Sequence, residues 1–341
     1  MSFKKIEGQA QAIKYLKNFV GYNRVPHALL FTGIDGIGKY RVAVEFTKIL
    51  NCLAPVRELD GNMDSCGQCL PCKQIEEGVY PDFEVIERIT DIEENGEGSS
   101  DDKDIESVAG NTIEVRGKKD KESIGIDQMR LLGRRAHLRA VDGKYRVFVI
   151  RGAEWLQQAA ANSLLKLLEE PPLNVVIILI AQHKYSLLKT IQSRCQEVKF
   201  TRLTEDEVKR VLVYTGEIED ENINEYVRYS CGSPGLALDL FNAEFLQQRT
   251  EITAWLKQVK ILSPLDIMGL TAKKYTGDRD EFRGLIKSMM LILQKDKLYN
   301  KKKTVEIEAI LLSASKMVEA MVSPASVMAT VLFKIQQVAE Q

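Results

Sequence analysis

Two groups of residues have types and spacing that could do chemistry. The first is Gly33-Ile34-Asp35-Gly36-Ile37-Gly38-Lys39-Tyr40, a G-x-x-x-x-G-K run. Gly33, Gly36 and Gly38 let a backbone wrap a phosphate, the N-terminus of a following helix supplies N–H groups and positive dipole, and Lys39 neutralises phosphate charge. The next residue would ordinarily be Ser or Thr, whose hydroxyl ligates Mg²⁺. Here it is Tyr40, too long and bulky for that task. The frame of a phosphate loop is present and its metal ligand is not. These residues leave ATP or ADP binding open and argue against hydrolysis and against a catalytic Mg²⁺. A glycine-rich turn without a ligand is the blander reading, and the strand before and helix after the run weigh against it.

The second group is Cys52, Cys66, Cys69 and Cys72, spaced C-x₁₃-C-x₂-C-x₂-C. Tight C-x₂-C turns present paired thiolates to one ion, and four soft ligands suit a tetrahedral Zn²⁺. Four thiolates close the coordination sphere, so the expected site is structural. Zinc there would supply folding free energy on the order of 10 kcal/mol. Free thiols are the alternative, and in a reducing compartment they explain less, since four of the six cysteines fall in this one segment.

Elements must hold these groups in place. Ala28-Leu29-Leu30-Phe31 reads as a short buried strand running into the glycine loop, and Arg41–Leu50 as the helix after it. Arg146–Ile150 and Val175–Ala181 read as two more buried strands. Between them, Gln157–Glu170 carries Ala160, Leu164, Leu167 and Leu168 on one helix face, and Pro171-Pro172 stops it. Buried strands joined by a crossover helix predict an α/β parallel sheet with its functional edge at the strand C-termini. In a triphosphatase the strand at Arg146 should end in Asp-Glu, to hold Mg²⁺ and polarise water. It ends in Arg151-Gly152. Arginine has the wrong charge for a metal site, and glycine has no base.

Length and composition agree with a soluble multidomain protein: 45% hydrophobic residues, 28% charged and net charge -1. No global basic field points to nucleic acid, and no apolar run approaches a membrane span. The N-terminal stretch lacks a signal-peptide core, so a cytoplasmic location is expected. Residues 3–22 read as one helix. Residues 91–121, acidic at first and then rich in lysine, read as an inserted mobile loop. A helix from Ile126 to about Arg139 gathers Arg130, Arg134, Arg135, Arg139 and His137, read as a solvated face, with a phosphate-contacting patch as the sharper minority reading. From the capping box Thr204-Glu205-Asp206-Glu207 onward the signals are helical: about 205–215, about 221–230, then starts at Ser233-Pro234, Ser263-Pro264 and Ser323-Pro324. Lys295, Lys297 and Lys301–Lys303 read as a solvated loop.

Together, Gly33–Lys39, the four cysteines, Asn162-Ser163-Leu164-Leu165-Lys166-Leu167-Leu168-Glu169-Glu170-Pro171-Pro172 and Ser193-Arg194-Cys195 resemble the bacterial clamp-loader ATPases, a branch of the AAA+ family. The resemblance covers nearly the whole chain outside the acidic insertion. It implies an α/β AAA+ P-loop module over 1–202, a helical lid over 203–243 and a helical collar over 244–341. Active gamma/tau motors in that family keep the hydroxyl and the Asp-Glu pair. Tyr40, Arg151, Gly152, Gln182 at the sensor position and Gly232-Ser233-Pro234-Gly235 instead resemble the delta-prime branch. The resemblance therefore implies a component of the DNA polymerase III holoenzyme with no ATPase of its own. Its Arg194, with Ser193, would reach in trans as an arginine finger into the site of a neighbouring gamma/tau subunit. The implied partners are gamma/tau and delta subunits, with the beta sliding clamp and primed DNA met through the complex. The rival readings are an ATP-hydrolysing motor and a zinc-containing nucleic-acid binding module.

Overall fold

The computed structural model describes residues 2–57, 61–88, 106–109, 112–115, 123–141, 144–216, 222–243, 245–259, 263, 279–319 and 323–340. The chain divides into two compact units. One holds residues 1–214 with 232–235, and the other holds 215–231 with 236–341.

The first unit is built on a sheet. Its strands are β1 (Ala28–Thr32), β4 (Phe83–Ile86), β5 (Glu106–Ala109), β6 (Thr112–Val115), β7 (Arg146–Arg151), β8 (Val175–Ala181) and β9 (Gln196–Lys199). They lie in the order β5-β6-β4-β7-β8-β1-β9. Every neighbouring pair is parallel except β5 and β6. β1 and β8 are buried along their whole length, as the continuous apolar runs in their sequences require of strands covered on both faces. A short antiparallel pair, β2 (Val56–Arg57) and β3 (Met63–Asp64), stands apart in the cysteine segment.

Helices cover the sheet. α1 (Ala10–Gly21), α2 (Lys39–Asn51), α3 (Leu70–Glu77), α4 (Ile126–Ala136), α5 (Gln158–Glu169) and the short α6 (Lys189–Gln192) belong to this unit. One hydrophobic core joins Leu132 of α4 and Leu164 and Leu168 of α5 to Phe148, Ile150, Ile177 and Leu179 of the central strands. Burying each such side chain contributes roughly 1.5–3 kcal/mol. α7 (Glu205–Thr215) starts at the expected capping box: Glu207 Oε2 accepts from Thr204 N at 2.8 Å, and Thr204 Oγ1 accepts from Glu207 N at 3.3 Å.

The second unit is helical among its described residues, with α8 (Ile223–Tyr229), most of α9 (Pro234–Asn242), α10 (Phe245–Gln258), α11 (Arg279–Asp296), α12 (Lys301–Glu319) and α13 (Pro324–Glu340). Buried Tyr229 packs edge-on against Phe245 and donates its hydroxyl to Asp296, which also accepts from Arg249 at 3.1 Å. No helix among the described residues is long and apolar enough to cross a membrane.

Four local expectations change. Residues 3–22 are not one helix: a 3-10 turn at Phe3–Lys5 is separated from α1 by left-handed backbone at Gly8 and Gln9. Gln9 leaves the helix so that its side chain can bond both the N–H and the carbonyl of Thr201. Residues 106–109 and 112–115, inside the segment read as a loop, pair as strands and extend the sheet beside β4. Their Val108, Thr112, Ile113 and Val115 have β-forming side chains that the surrounding acids outweigh in any composition average. The rest of that segment, and residues 264–278 after Ser263, lie outside the described residues. α4 stops at Ala136, with His137 as its C-cap. Lys301–Lys303 form the first turn of a helix, and Lys303 Nζ donates to the Ala339 carbonyl at 3.0 Å.

Candidate functional site

The glycine loop leaves the C-terminal end of β1 and enters α2 through Gly38, whose φ of 92° only glycine adopts without strain. Lys39 is 5% exposed. Its ammonium donates to the carbonyls of Gly33 and, at 2.6 Å, Ile34, so it straps the start of the loop to the start of the helix. Asp35 Oδ1 lies 3.5 Å from the same nitrogen. Burial holds the Lys39 pKa below the ordinary lysine value, and Asp35 works against that shift. Gln182, just beyond β8, donates to the other oxygen of Asp35. The backbone frame of a phosphate loop is therefore intact.

A second contact closes on this loop from Gly232–Gly235. Ser233 Oγ donates to the Asp35 carbonyl at 2.7 Å, and Gly235 N–H donates to the Gly36 carbonyl at 3.0 Å. A Cβ on Gly36 would stand 2.8 Å from Gly235 Cα. Both positions must be glycine for the backbones to touch.

The metal side of the site is filled by protein. Arg151, at the end of β7, lays its guanidinium over the Tyr40 ring, 4.7 Å from the centroid, and pairs with Glu87 Oε2 at 2.7 Å. The two positions that would offer oxygen atoms to Mg²⁺ instead form a cation–π stack. Arg151 brings a positive charge to this place, offset by its ion pair with Glu87. Gly152 adopts φ 68°, and a Cβ at this residue would lie 2.9 Å from Trp155 Cδ1. A side chain at this position would have to adopt left-handed backbone and push aside the exposed Trp155 ring.

The four cysteines converge. Their Sγ atoms all lie within 4.8 Å of one another. Cys52 and Cys69 sulfurs are 3.9 Å apart, and a tetrahedron of ~2.3 Å metal–sulfur bonds has edges of about 3.8 Å. Cys52 is the C-cap of α2, Cys69 is the N-cap of α3, and Cys72 lies in the first turn of α3. Cys66 Sγ accepts from the N–H groups of Gln68 and Cys69, and Cys66 N–H donates to Cys52 Sγ at 3.3 Å. The Gln68 N–H draws the Cys66 thiol down to about 6, while burial pushes Cys52 and Cys72 up. This donor set fits a metal ion: one pre-formed thiolate beside buried thiols that would ionise on coordination. Behind it, fully buried Lys48 of α2 bonds Glu45 at 3.0 Å and Glu76 of α3, and Arg41 joins both acids. That network fastens the two helices which end in the metal ligands.

Arg194 sits elsewhere on this unit. It precedes β9, whose Gln196 is level with Leu29 near the start of β1. The glycine loop follows the other end of β1. Arg194 and the loop thus occupy opposite edges of one parallel sheet, separated by five residues of strand, roughly 16 Å. The Arg194 guanidinium is part-exposed, bonded to Glu169 Oε1 at 2.7 Å and to the Thr190 carbonyl at 3.0 Å. Cys195 beside it is partly buried against the core of the unit, and burial pushes its thiol up to about 12, which makes it a packing residue.

Of the basic helix, Arg135 is structural, paired with Glu84 at 2.8 Å, while Arg130 lies exposed against Asp127. Asp35, Glu87, Ser233, Gly235 and Glu169 all contact predicted site residues, and none was singled out for that contact from sequence. Each depends on a partner distant in the chain or on a helix–turn juxtaposition, which spacing does not encode.

Comparison with known proteins agrees with this architecture. The family model described as DNA polymerase III, delta subunit matches residues 8–204. DNA polymerase III subunit gamma of Buchnera aphidicola subsp. Schizaphis graminum is 26% identical over 279 residues, covering 80% of this chain and 65% of that protein. The delta' subunit of Bacillus subtilis is 29% identical over 204 residues, covering 60% of this chain and 51% of that protein. The Haemophilus influenzae delta' subunit is 28% identical, covering 73% and 65% respectively. The chain thus spans less than two thirds of the length of these relatives. A gamma subunit-related protein of DNA polymerase III from Thermotoga maritima superposes with a TM-score of 0.50 at 16% identity, over 96% of this chain and 99% of that one. That likeness supports the AAA+ type of fold. Relatives of both delta' and gamma kind match, and the family match itself spans more than half of the chain. The chain belongs to the DNA polymerase III delta-subunit family of bacterial clamp-loader subunits.

Proposed function

We propose that this chain is a delta-prime-type subunit: a clamp-loader component that does not hydrolyse ATP and that lends Arg194 to the nucleotide site of a neighbouring gamma/tau motor. The observation that carries this reading is the pairing of Tyr40 with Arg151 where a Mg²⁺ would be held. Gly152, without a carboxylate, adds to it. The placement of Arg194 at the sheet edge opposite its own glycine loop supports service to another subunit, because an arginine side chain cannot span that distance.

In this reading the glycine loop and Lys39 are retained as a structural turn. Residues 203–243 act as the lid and 244–341 as the collar that joins a ring with motor and delta subunits around primed DNA and the beta clamp. The four-cysteine centre holds one Zn²⁺, which fixes the ends of α2 and α3 and takes no part in chemistry. A guanidinium at a neighbour's γ-phosphate stabilises charge that develops on transfer, an effect of about 10³–10⁵ in rate at the site it serves.

The test is reconstitution with gamma/tau and delta subunits. Arg194→Ala is expected to assemble normally, by size-exclusion chromatography, and to abolish the contribution of the adjacent motor site to ATP turnover. Unchanged turnover in that variant would remove the trans role.

A further inference from the structure

Glu169 is the last residue of α5, and Glu170 follows as its C-cap. Two acids at this end face the negative pole of the helix dipole, where cations are favoured. A local rule broken without local gain calls for a compensating role. Glu169 has one: its Oε1 holds Arg194 Nη2 at 2.7 Å. On the other side, Arg194 Nη1 donates to the Thr190 carbonyl at 3.0 Å and approaches Ser193 Oγ at 3.4 Å. Guanidinium has five N–H donors in a rigid plane. With one terminal nitrogen held by a carboxylate and the other by a backbone carbonyl, the plane is set before any ligand arrives. Yet the side chains of Arg194 and Glu169 remain 35% and 49% exposed, so donors are left over for a partner.

We propose that Glu169 is a positioning residue for Arg194: its carboxylate fixes one edge of the guanidinium so that the remaining N–H groups meet the phosphates of a nucleotide held by an adjacent subunit. The proposal rests on the trans role of Arg194 given above. Glu169 touches no reacting atom. It spares Arg194 the ordering that a free, rotamer-rich side chain would undergo at the moment of engagement. Two parts of the chain far apart in sequence, the end of α5 and the Ser193-Arg194-Cys195 turn, thereby become one functional unit.

The experiment is steady-state ATP hydrolysis by the assembly reconstituted with gamma/tau and delta subunits. Four forms of this chain are compared: Glu169→Ala, Glu169→Gln, Arg194→Ala and the Glu169→Ala/Arg194→Ala double variant. Glu169→Ala is expected to lower kcat about two- to fivefold, the range for an exposed ion pair, with assembly and Tm unchanged. Glu169→Gln, which keeps an acceptor oxygen, is expected to recover part of the loss. The decisive readout is coupling: Glu169→Ala should cost nothing further once Arg194 is gone. An equal loss in both backgrounds, or full turnover in Glu169→Ala while Arg194→Ala is slow, overturns the positioning role and leaves the trans role standing. Full turnover in Arg194→Ala overturns both.

Discussion

Three positions depart from the residues that a hydrolysing triphosphatase carries there, and each has a physical partner. Tyr40 cannot ligate Mg²⁺, and Arg151 cannot either, but the two stack, and Arg151 pairs with Glu87. Gly152 is bound into left-handed backbone against Trp155. Restoring the motor residues as Tyr40→Thr, Arg151→Asp and Gly152→Glu is therefore expected to give no Mg²⁺-dependent ATPase. Gly152→Ala alone should destabilise by roughly 1–3 kcal/mol in urea unfolding, the usual cost of forcing such a backbone. Hydrolysis by the triple variant would show that the backbone after β7 still accepts a base. The sequence made the losses plain, because the glycine run and the Arg151-Gly152 strand end are read by position. It did not reveal that two of the lost positions had found each other, since Tyr40 and Arg151 are brought together only by β1 and β7 lying two strands apart in the sheet.

Among the elements, α2 and α3 tie the cysteine centre to the glycine loop. α2 begins at Lys39 and is capped by Cys52, and α3 begins between Cys69 and Cys72. The ion network of Lys48, Glu45, Glu76 and Arg41 binds one helix to the other. Purified without chelator, the chain is expected to carry about one zinc per molecule. Removing it should lower Tm by more than about 5 °C, since a site that binds only the folded state adds its binding free energy to folding. Acidification should release the ion, because protons compete for the thiolates. No metal in carefully handled protein, or an unchanged Tm after removal, would count against the centre. This centre was legible from spacing alone, as were the central strands, whose apolar runs fall within a residue or two of the observed limits. Less legible were ends set by tertiary contacts. Gln9 leaves its helix for Thr201, and the short strands at 106–109 and 112–115 are masked by acidic neighbours.

At the scale of the molecule, the reading divides labour between opposite edges of one sheet. The C-terminal edge keeps the form of a phosphate loop, with its metal place taken by a guanidinium. The N-terminal edge keeps an arginine that its own loop cannot use, held by Glu169. The second unit supplies helices closed around Tyr229, Asp296 and Arg249, the region proposed as the collar. In the role proposed above, the chain contributes to hydrolysis only inside an assembly. The most direct measurement is ATP turnover by the purified chain alone across a range of Mg²⁺ concentrations, set beside the Lys39→Ala variant. The account predicts no turnover above background in either protein. Robust Mg²⁺-dependent hydrolysis that disappears in Lys39→Ala would contradict it.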